Sequence, residues 1–174
     1  MIAKEFLRAV ANGEVDLVQL LLDILAATNS EYCVIGGLAV NAYAEPVVSL
    51  DLDVAVVSRN LGALCQEARI RGLKVEEFPH SVNLSTPKSD LRIQLQTDPR
   101  YQPFISRAET RPVLGYVMRV ARVEDVLQGK IWAHQDQTRR ASKRQKDLAD
   151  IFRLIEAWPG LRDRVSDTIV PRTE

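Results

Sequence analysis

Residues 32–57 constrain this chain more than any other stretch. An apolar run from Tyr32 to Ile35 meets the pair Gly36-Gly37, a short helical segment follows, and a second extended run covers Leu50 to Val57. In that second run Leu50, Leu52, Val54 and Val56 share one parity and Asp51, Asp53, Ala55 and Val57 the other. The two-residue repeat of an extended chain therefore puts both carboxylates on one face, roughly 7 Å apart at the backbone. Apolar and β-branched neighbours on both sides predict a central strand. Two like charges there are costly unless something positive lies between them, and a hard divalent cation is the natural candidate.

The two glycines fit the same picture. A strand that ends in Gly-Gly and passes straight into a helix lets backbone N–H groups approach a phosphate with no side chain in the way. Taken alone, a Gly-Gly pair marks only a tight turn, and Asp-x-Asp can be a solvated strand end. Their order and spacing within one strand, turn, helix and strand unit raise both.

The run VIGGLAVNAYAEPVVSLDLDVAV resembles the signature of the nucleotidyltransferase superfamily whose simplest member is DNA polymerase beta. Within it the chain is most similar to the small prokaryotic branch that holds the toxin-type nucleotidyltransferases of abortive-infection systems. Those proteins carry a Lys-Asp-x-x-Asp helix near the C-terminus, and KDLAD stands here at Lys146 to Asp150. The resemblance spans residues 30–158. It implies that Gly36 and Gly37 hold a triphosphate, with Lys130 a further nucleotide-binding candidate. It also implies that Asp51 and Asp53 bind Mg²⁺ (or Mn²⁺), and that Lys143, Lys146 and Asp147 have a functional role. The implied partners are an NTP, an RNA (tRNA among them), protein or small-molecule acceptor, and an antitoxin protein.

The family pattern places a third carboxylate on a later strand, and this chain departs from it. In LRIQLQ, Arg92, Gln94 and Gln96 share one side of the strand, so Gln94 takes the expected place of an aspartate. An amide can bind a cation through its carbonyl but cannot act as a base. Asp90 and Asp98 share the parity of Gln94, and either substitutes for it if the register differs. The departure leaves nucleotide binding in place and opens an alternative to nucleotidyl transfer: a catalytically degenerate nucleotide-binding or antitoxin-like partner protein.

With 174 residues the chain has the size of one compact unit. The expected class is α/β (α+β): a mixed sheet flanked by helices in residues 1–121, with a helical segment, 122–174, packed on it. Twenty-three basic and 23 acidic residues cancel, so any attraction to nucleic acid is local. Cys33 and Cys65 form no disulfide framework, and no apolar run is long enough for a signal peptide or a membrane span. The expectation is a cytoplasmic protein.

Further elements follow from periodicity and punctuation. Helices are predicted at residues 3–11, 15–28, 61–71 and 123–135, the third closed by Gly72. Short strands are expected at 73–78, 82–84, 91–96 and 116–121, and the proline-bearing stretch 97–114 reads as connection with at most one short strand. In the last helix Leu148, Ile151, Phe152, Ile155 and Trp158 form an apolar stripe. Arg139, Arg140, Lys143, Arg144 and Lys146 crowd its start, where the helix dipole disfavours cations. A bound phosphate offsets that cost; so do i,i+4 pairs of Lys143 with Asp147 and Lys146 with Asp150. Lys130 reads as a surface lysine unless it points at the Asp-x-Asp strand.

Overall fold

A computed structural model describes residues 3–173. Helices α1 (Ala3–Val10) and α2 (Leu17–Ala27) lead into strand β1 (Tyr32–Ile35), helix α3 (Gly36–Val40) and strand β2 (Asp51–Val56). After α4 (Leu61–Ile70) come β3 (Lys74–Glu77), β4 (Ser81–Thr86) and β5 (Ser89–Gln96). The chain continues through α5 (Gln102–Arg107), β6 (Glu109–Val113) and β7 (Tyr116–Val120), then α6 (Val123–Gln135) and α7 (Ala141–Ala157).

All seven strands form one mixed sheet in the order β3-β4-β5-β2-β1-β7-β6. β2 lies at its centre, antiparallel to β1 and parallel to β5. The alternation read in the sequence is realised there: Leu52, Val54 and Val56 are wholly buried, whereas Asp51 and Asp53 are only partly so. Gly72 adopts the left-handed conformation expected of a helix C-terminal cap, with φ +84°. Helices α3 and α5 pack on β1 and β2, and α6 and α7 pack on each other and on α3. Among the described residues no helix is long and apolar enough to cross a membrane.

Three expectations need correction. Residues 97–114 are not mainly connection: they hold α5 and the edge strand β6. Pro103 stands in the first turn of α5, where its missing N–H costs nothing, and Pro112 sits in an edge strand, where the outward N–H has no ladder partner to lose. The proline count therefore concealed regular structure. In α7, Ile151 is buried and Leu148 and Ile155 pack against the core as expected, but Asp147 and Leu154 share that inner side, and Phe152 and Trp158 stay about two-fifths exposed, at 40% and 39%. A buried carboxylate at i, i+4 and i+7 spacing shifts the inner face away from the one that apolar residues alone suggest. Lys130, lastly, is no surface lysine, because only 8% of it is exposed.

Candidate active site

The site forms where β1 ends. Ile35 pairs with Asp53 across the antiparallel β1 and β2 ladder, so the next residue, Gly36, lies against the Asp53 side chain. Gly36 has φ +71°, and a Cβ built on it falls 2.4 Å from Asp53 Oδ2. Glycine is thus required twice, for the left-handed backbone and for the space that the carboxylate fills. At Gly37 a Cβ meets only Ser49 Oγ, at 3.9 Å, so nothing steric demands glycine there. Gly36→Ala is expected to cost about 2–4 kcal/mol, combining left-handed strain with overpacking. Gly37→Ala is expected to fall near zero. Chemical denaturation of both variants measures the difference, and equal midpoints would contradict this account.

Asp53 stands at one wall of a narrow cleft of about 110 Å³, shared with Gln94 and Gln96 of β5, Tyr101 and Phe104, and Asp125, Lys130, Arg139 and Asp147 from the C-terminal helices and their connection. Burial pushes the Asp53 carboxyl up to about 6, with Asp51 adding to the rise, while Lys130, Arg139 and Lys143 pull against it. The positive charge that the sequence demanded near the carboxylates is thus supplied in part by the protein's own side chains. Asp51 is answered separately, by Arg92 on β5, whose Nε lies 2.8 Å from its Oδ1.

Across the cleft an ion-pair network joins α6 to α7. Lys130 Nζ reaches Asp147 Oδ1 at 3.0 Å and Asp150 Oδ2 at 2.9 Å, and Arg139 Nε donates to Asp147 Oδ2 at 2.7 Å. Burial alone would lower the Lys130 ammonium, but Asp150 and Asp147 outweigh it and hold it above the ordinary lysine range. Asp150 also accepts from Arg153 at 2.7 Å. These partners replace the i,i+4 pairs expected for Lys143 and Lys146. Lys143 remains close enough to act on Asp53, whereas Lys146 is exposed and outside the cleft lining. His134 and Arg144 close the seam: Arg144 Nε donates to the His134 carbonyl at 2.9 Å.

The β5 register fixes which residues stand beside the two carboxylates. Asp53 pairs with Gln94, and Asp51 with Arg92, in the parallel β2 and β5 ladder. Asp90 lies four residues before Gln94, where its backbone N–H donates to the Ala11 carbonyl at 2.7 Å. Asp98 lies beyond the strand and caps its own turn, accepting from the Arg100 N–H at 2.9 Å. Among the described residues no cluster of three or more acidic, histidine or cysteine side chains could hold a metal.

Four cleft residues escaped the sequence reading. Arg139 was one member of a cationic run with nothing to single it out. Asp125, in the first turn of α6, accepts two hydrogen bonds from Arg107 at 2.9 and 2.8 Å. Tyr101 and Phe104 lie in the segment read as connection; they stack edge-to-face on each other, at 5.5 Å between ring centres. A roomier hollow between α2 and the β6–β7 turn, lined by Lys4, Asp23 and Tyr116 among others, gathers no comparable set.

This sheet order and helix arrangement is the nucleotidyltransferase fold, as comparison with solved structures shows. The antibiotic-resistance factor ANT(2'')-Ia, determined in complex with adenylyl-2''-tobramycin, is 15% identical; the match covers 86% of this chain and 97% of that one, with a TM-score of 0.59. The lincosamide antibiotic adenylyltransferase LnuA, bound to lincomycin, is 11% identical over 79% of this chain and 95% of its own, with a TM-score of 0.57. An antigenic nucleotidyltransferase-like protein from Paracoccidioides brasiliensis is 18% identical over 89% and 78%, with a TM-score of 0.54. No protein-family model matches the sequence, and no curated protein matches it.

Proposed function

We propose that this protein is a metal-dependent nucleotidyltransferase, moving a nucleotide from an NTP to an acceptor hydroxyl or phosphate. The observation that carries the reading is the Asp53 carboxylate packed against Gly36, facing a cleft whose other wall supplies Lys130 and Arg139. A carboxylate pair on one strand opposite a buried lysine and a partly exposed arginine suits an NTP whose phosphates bring both negative charge and metal ligands. In this reading residues 122–174 are a helical segment that completes a site begun on the 1–121 core, since Lys130, Arg139 and Asp147 all come from it.

The residues fit a hard divalent cation. Asp51 and Asp53 offer carboxylate oxygens and Gln94 an amide carbonyl, an all-oxygen set, and Mg²⁺ is commonly held by one or two carboxylates together with substrate phosphates. Bound there, Mg²⁺ or Mn²⁺ would polarise the α-phosphate and offset charge on the departing pyrophosphate. Lys130 and Arg139 hold phosphate oxygens, and Asp147 orients both cations toward the cleft. Lys143 adds positive potential at the mouth, and Gly37 leaves the turn open to a phosphate.

A ligand that binds only the folded protein stabilises it by mass action, by about 2.7 kcal/mol at a hundredfold excess over Kd, and so raises its melting temperature. Mg²⁺ with an NTP is therefore expected to raise the melting temperature of the wild type, and the shift is expected to vanish when Asp51→Asn and Asp53→Asn are combined. A shift that persists undiminished in the double variant would remove the Asp-x-Asp assignment.

The second reading is a catalytically degenerate nucleotide-binding or antitoxin-like partner, and the exposed Gln94 opposite Asp53 is what favours it. The two readings separate on turnover, because only the first releases pyrophosphate. A toxin role, with RNA or protein as acceptor and an antitoxin as partner, rests on the KDLAD resemblance alone.

A further inference from the structure

We propose, resting on the nucleotidyltransferase reading, that the acceptor is an uncharged polyhydroxylated molecule, a neutral sugar or polyol, held on the open face of β3, β4 and β5 beside the Asp-x-Asp pair. The argument starts from register. Residues opposite one another in adjacent strands point to the same side of a sheet. Asp53 stands opposite Gln94, Gln94 opposite Asn83 and Asn83 opposite Glu76, which makes one row across four strands. A second row, two residues along, takes Gln96 and Ser81. The Phe78 N–H donates to the Ser81 carbonyl at 2.8 Å, so the hairpin register runs on to Phe78 and adds its ring to that row.

Four side chains of these rows are uncharged hydrogen-bonding groups. Ser81, Asn83 and Gln96 are half-buried and Gln94 is exposed, and none of the four side chains makes a hydrogen bond among the described residues. Each amide both donates and accepts, as does the serine hydroxyl, so a ligand that satisfies them must also do both, as a set of hydroxyls does. Phe78, 51% exposed, closes the second row and offers a flat apolar surface to the C–H face of a sugar ring. With neighbouring strands about 4.8 Å apart, Asn83 lies roughly 10 Å from Asp53. At the near end Gln94 and Gln96 line the cleft itself, so a molecule lying along the rows brings a hydroxyl to the carboxylate pair.

Charge excludes the other acceptor classes. The ionic groups flanking the rows already answer one another, Arg92 with Asp51 at 2.8 Å and Lys74 with Glu76. Asp90, also on this side of β5, stands four residues before Gln94, roughly 13 Å away along the strand. A polycationic acceptor therefore meets no free carboxylate within the rows. A nucleic acid meets no free cation there for its backbone, since Lys130 and Arg139 belong to the opposite wall. In the transfer, an acceptor hydroxyl oxygen forms a bond to the α-phosphorus of the NTP. The bond from that phosphorus to the bridging oxygen of the β-phosphate breaks, pyrophosphate leaves with the electron pair, and the hydroxyl proton passes to water. The products are inorganic pyrophosphate and a phosphodiester between the nucleoside and the acceptor.

The full chain would be incubated with Mg²⁺ and each NTP and offered methyl glucoside, maltose and myo-inositol, alongside the charged glucosamine and glucose 6-phosphate and a short single-stranded RNA. Pyrophosphate release and the ³¹P signal of a new phosphodiester would be followed. Transfer to at least one neutral acceptor is expected, about tenfold or more faster than to any charged one. Asn83→Ala and Phe78→Ala are each expected to raise the KM for that acceptor about five- to tenfold with kcat little changed, the mark of lost binding rather than lost chemistry. Asn83→Asp, which keeps the shape and adds a charge, is expected to shift the preference toward glucosamine. Equal or faster transfer by the wild type to glucosamine, glucose 6-phosphate or RNA would overturn the proposal, as would an unchanged KM in both alanine variants. So would no transfer to any neutral acceptor by protein whose melting temperature still rises with Mg²⁺ and NTP, a result that leaves the nucleotide-binding reading standing. Absence of that thermal response would overturn both.

Discussion

Asp53→Asn is expected to do two opposite things: remove nucleotide transfer and make the ligand-free protein more stable above pH 7. Burial raises the folded-state value of Asp53 to about 6, against roughly 3.9 in an unfolded chain. A carboxyl whose folded value is raised favours the folded state fully below the unfolded value, and that contribution is lost as pH rises through the folded one. Between about pH 4 and pH 6 the wild type therefore gives up stability on the order of 3 kcal/mol, and above pH 7 it carries the whole cost. Asparagine cannot ionise, so the variant escapes the loss. Its melting temperature at pH 7.5, without metal or nucleotide, should exceed that of the wild type by roughly 6–10 °C, and the gap should close near pH 4. Transfer should fall roughly 10²- to 10³-fold, the scale on which a group that stabilises transition-state charge acts. Melting curves from pH 4 to 8 decide the matter: a variant less stable than the wild type at pH 7.5 would sink this account of Asp53.

The second large effect is expected at Asp147. Removing one member of a buried ion pair leaves the other desolvated and unanswered, at about 3–5 kcal/mol. Asp147 is 1% exposed, and its loss strips Arg139 of its partner and leaves Lys130 with Asp150 alone. Asp147→Ala should lower the melting temperature by roughly 10 °C in a domain of this size. Replacing both members of the buried pair, Asp147→Leu with Lys130→Met, should recover part of that loss, since a well-packed apolar pair is often as stable as the ions it replaces and the remaining cation, Arg139, is partly exposed to solvent. The double variant should nevertheless show no thermal response to Mg²⁺ and NTP. Recovery of stability together with a full nucleotide response would show that the network is structural and plays no part in binding.

The parts of the fold that were legible in the sequence are those governed by local periodicity. The parity of Leu52, Val54 and Val56 announced a central strand, and Gly72 announced the end of α4. The parity of β5 also put Gln94 on the face away from Leu91, Ile93 and Leu95, and the structure keeps that alternation, because register follows from which residues must be buried. What stayed hidden depends on side chains meeting across long separations. Lys130 and Asp147 stand on different helices, and a lysine in a mixed helical pattern carries no local mark of burial. Phe152 misled because apolar character was taken as the sign of the inner face of α7, where Asp147 occupies part of it. The prolines of α5 and β6 misled because proline forbids only interior positions, and both sit at ends or edges.

The ion pairs that face Asp53 also impose an order on biosynthesis. β2 is made early, and the cations across the cleft belong to residues 130 and 139, held by a carboxylate at 147. Arg153 then ties α7 back to the loop after α3, through Asn41 Oδ1 at 3.1 Å and the Glu45 carbonyl, and Trp158 Nε1 donates to the Tyr43 carbonyl at 2.8 Å. A ribosome that has released only the sheet has therefore made a protein with its acidic wall complete and its basic wall missing. On the proposed function, such a nascent chain lacks Lys130 and Arg139 for the phosphates of an NTP, so competence would arrive only when the last helix docks.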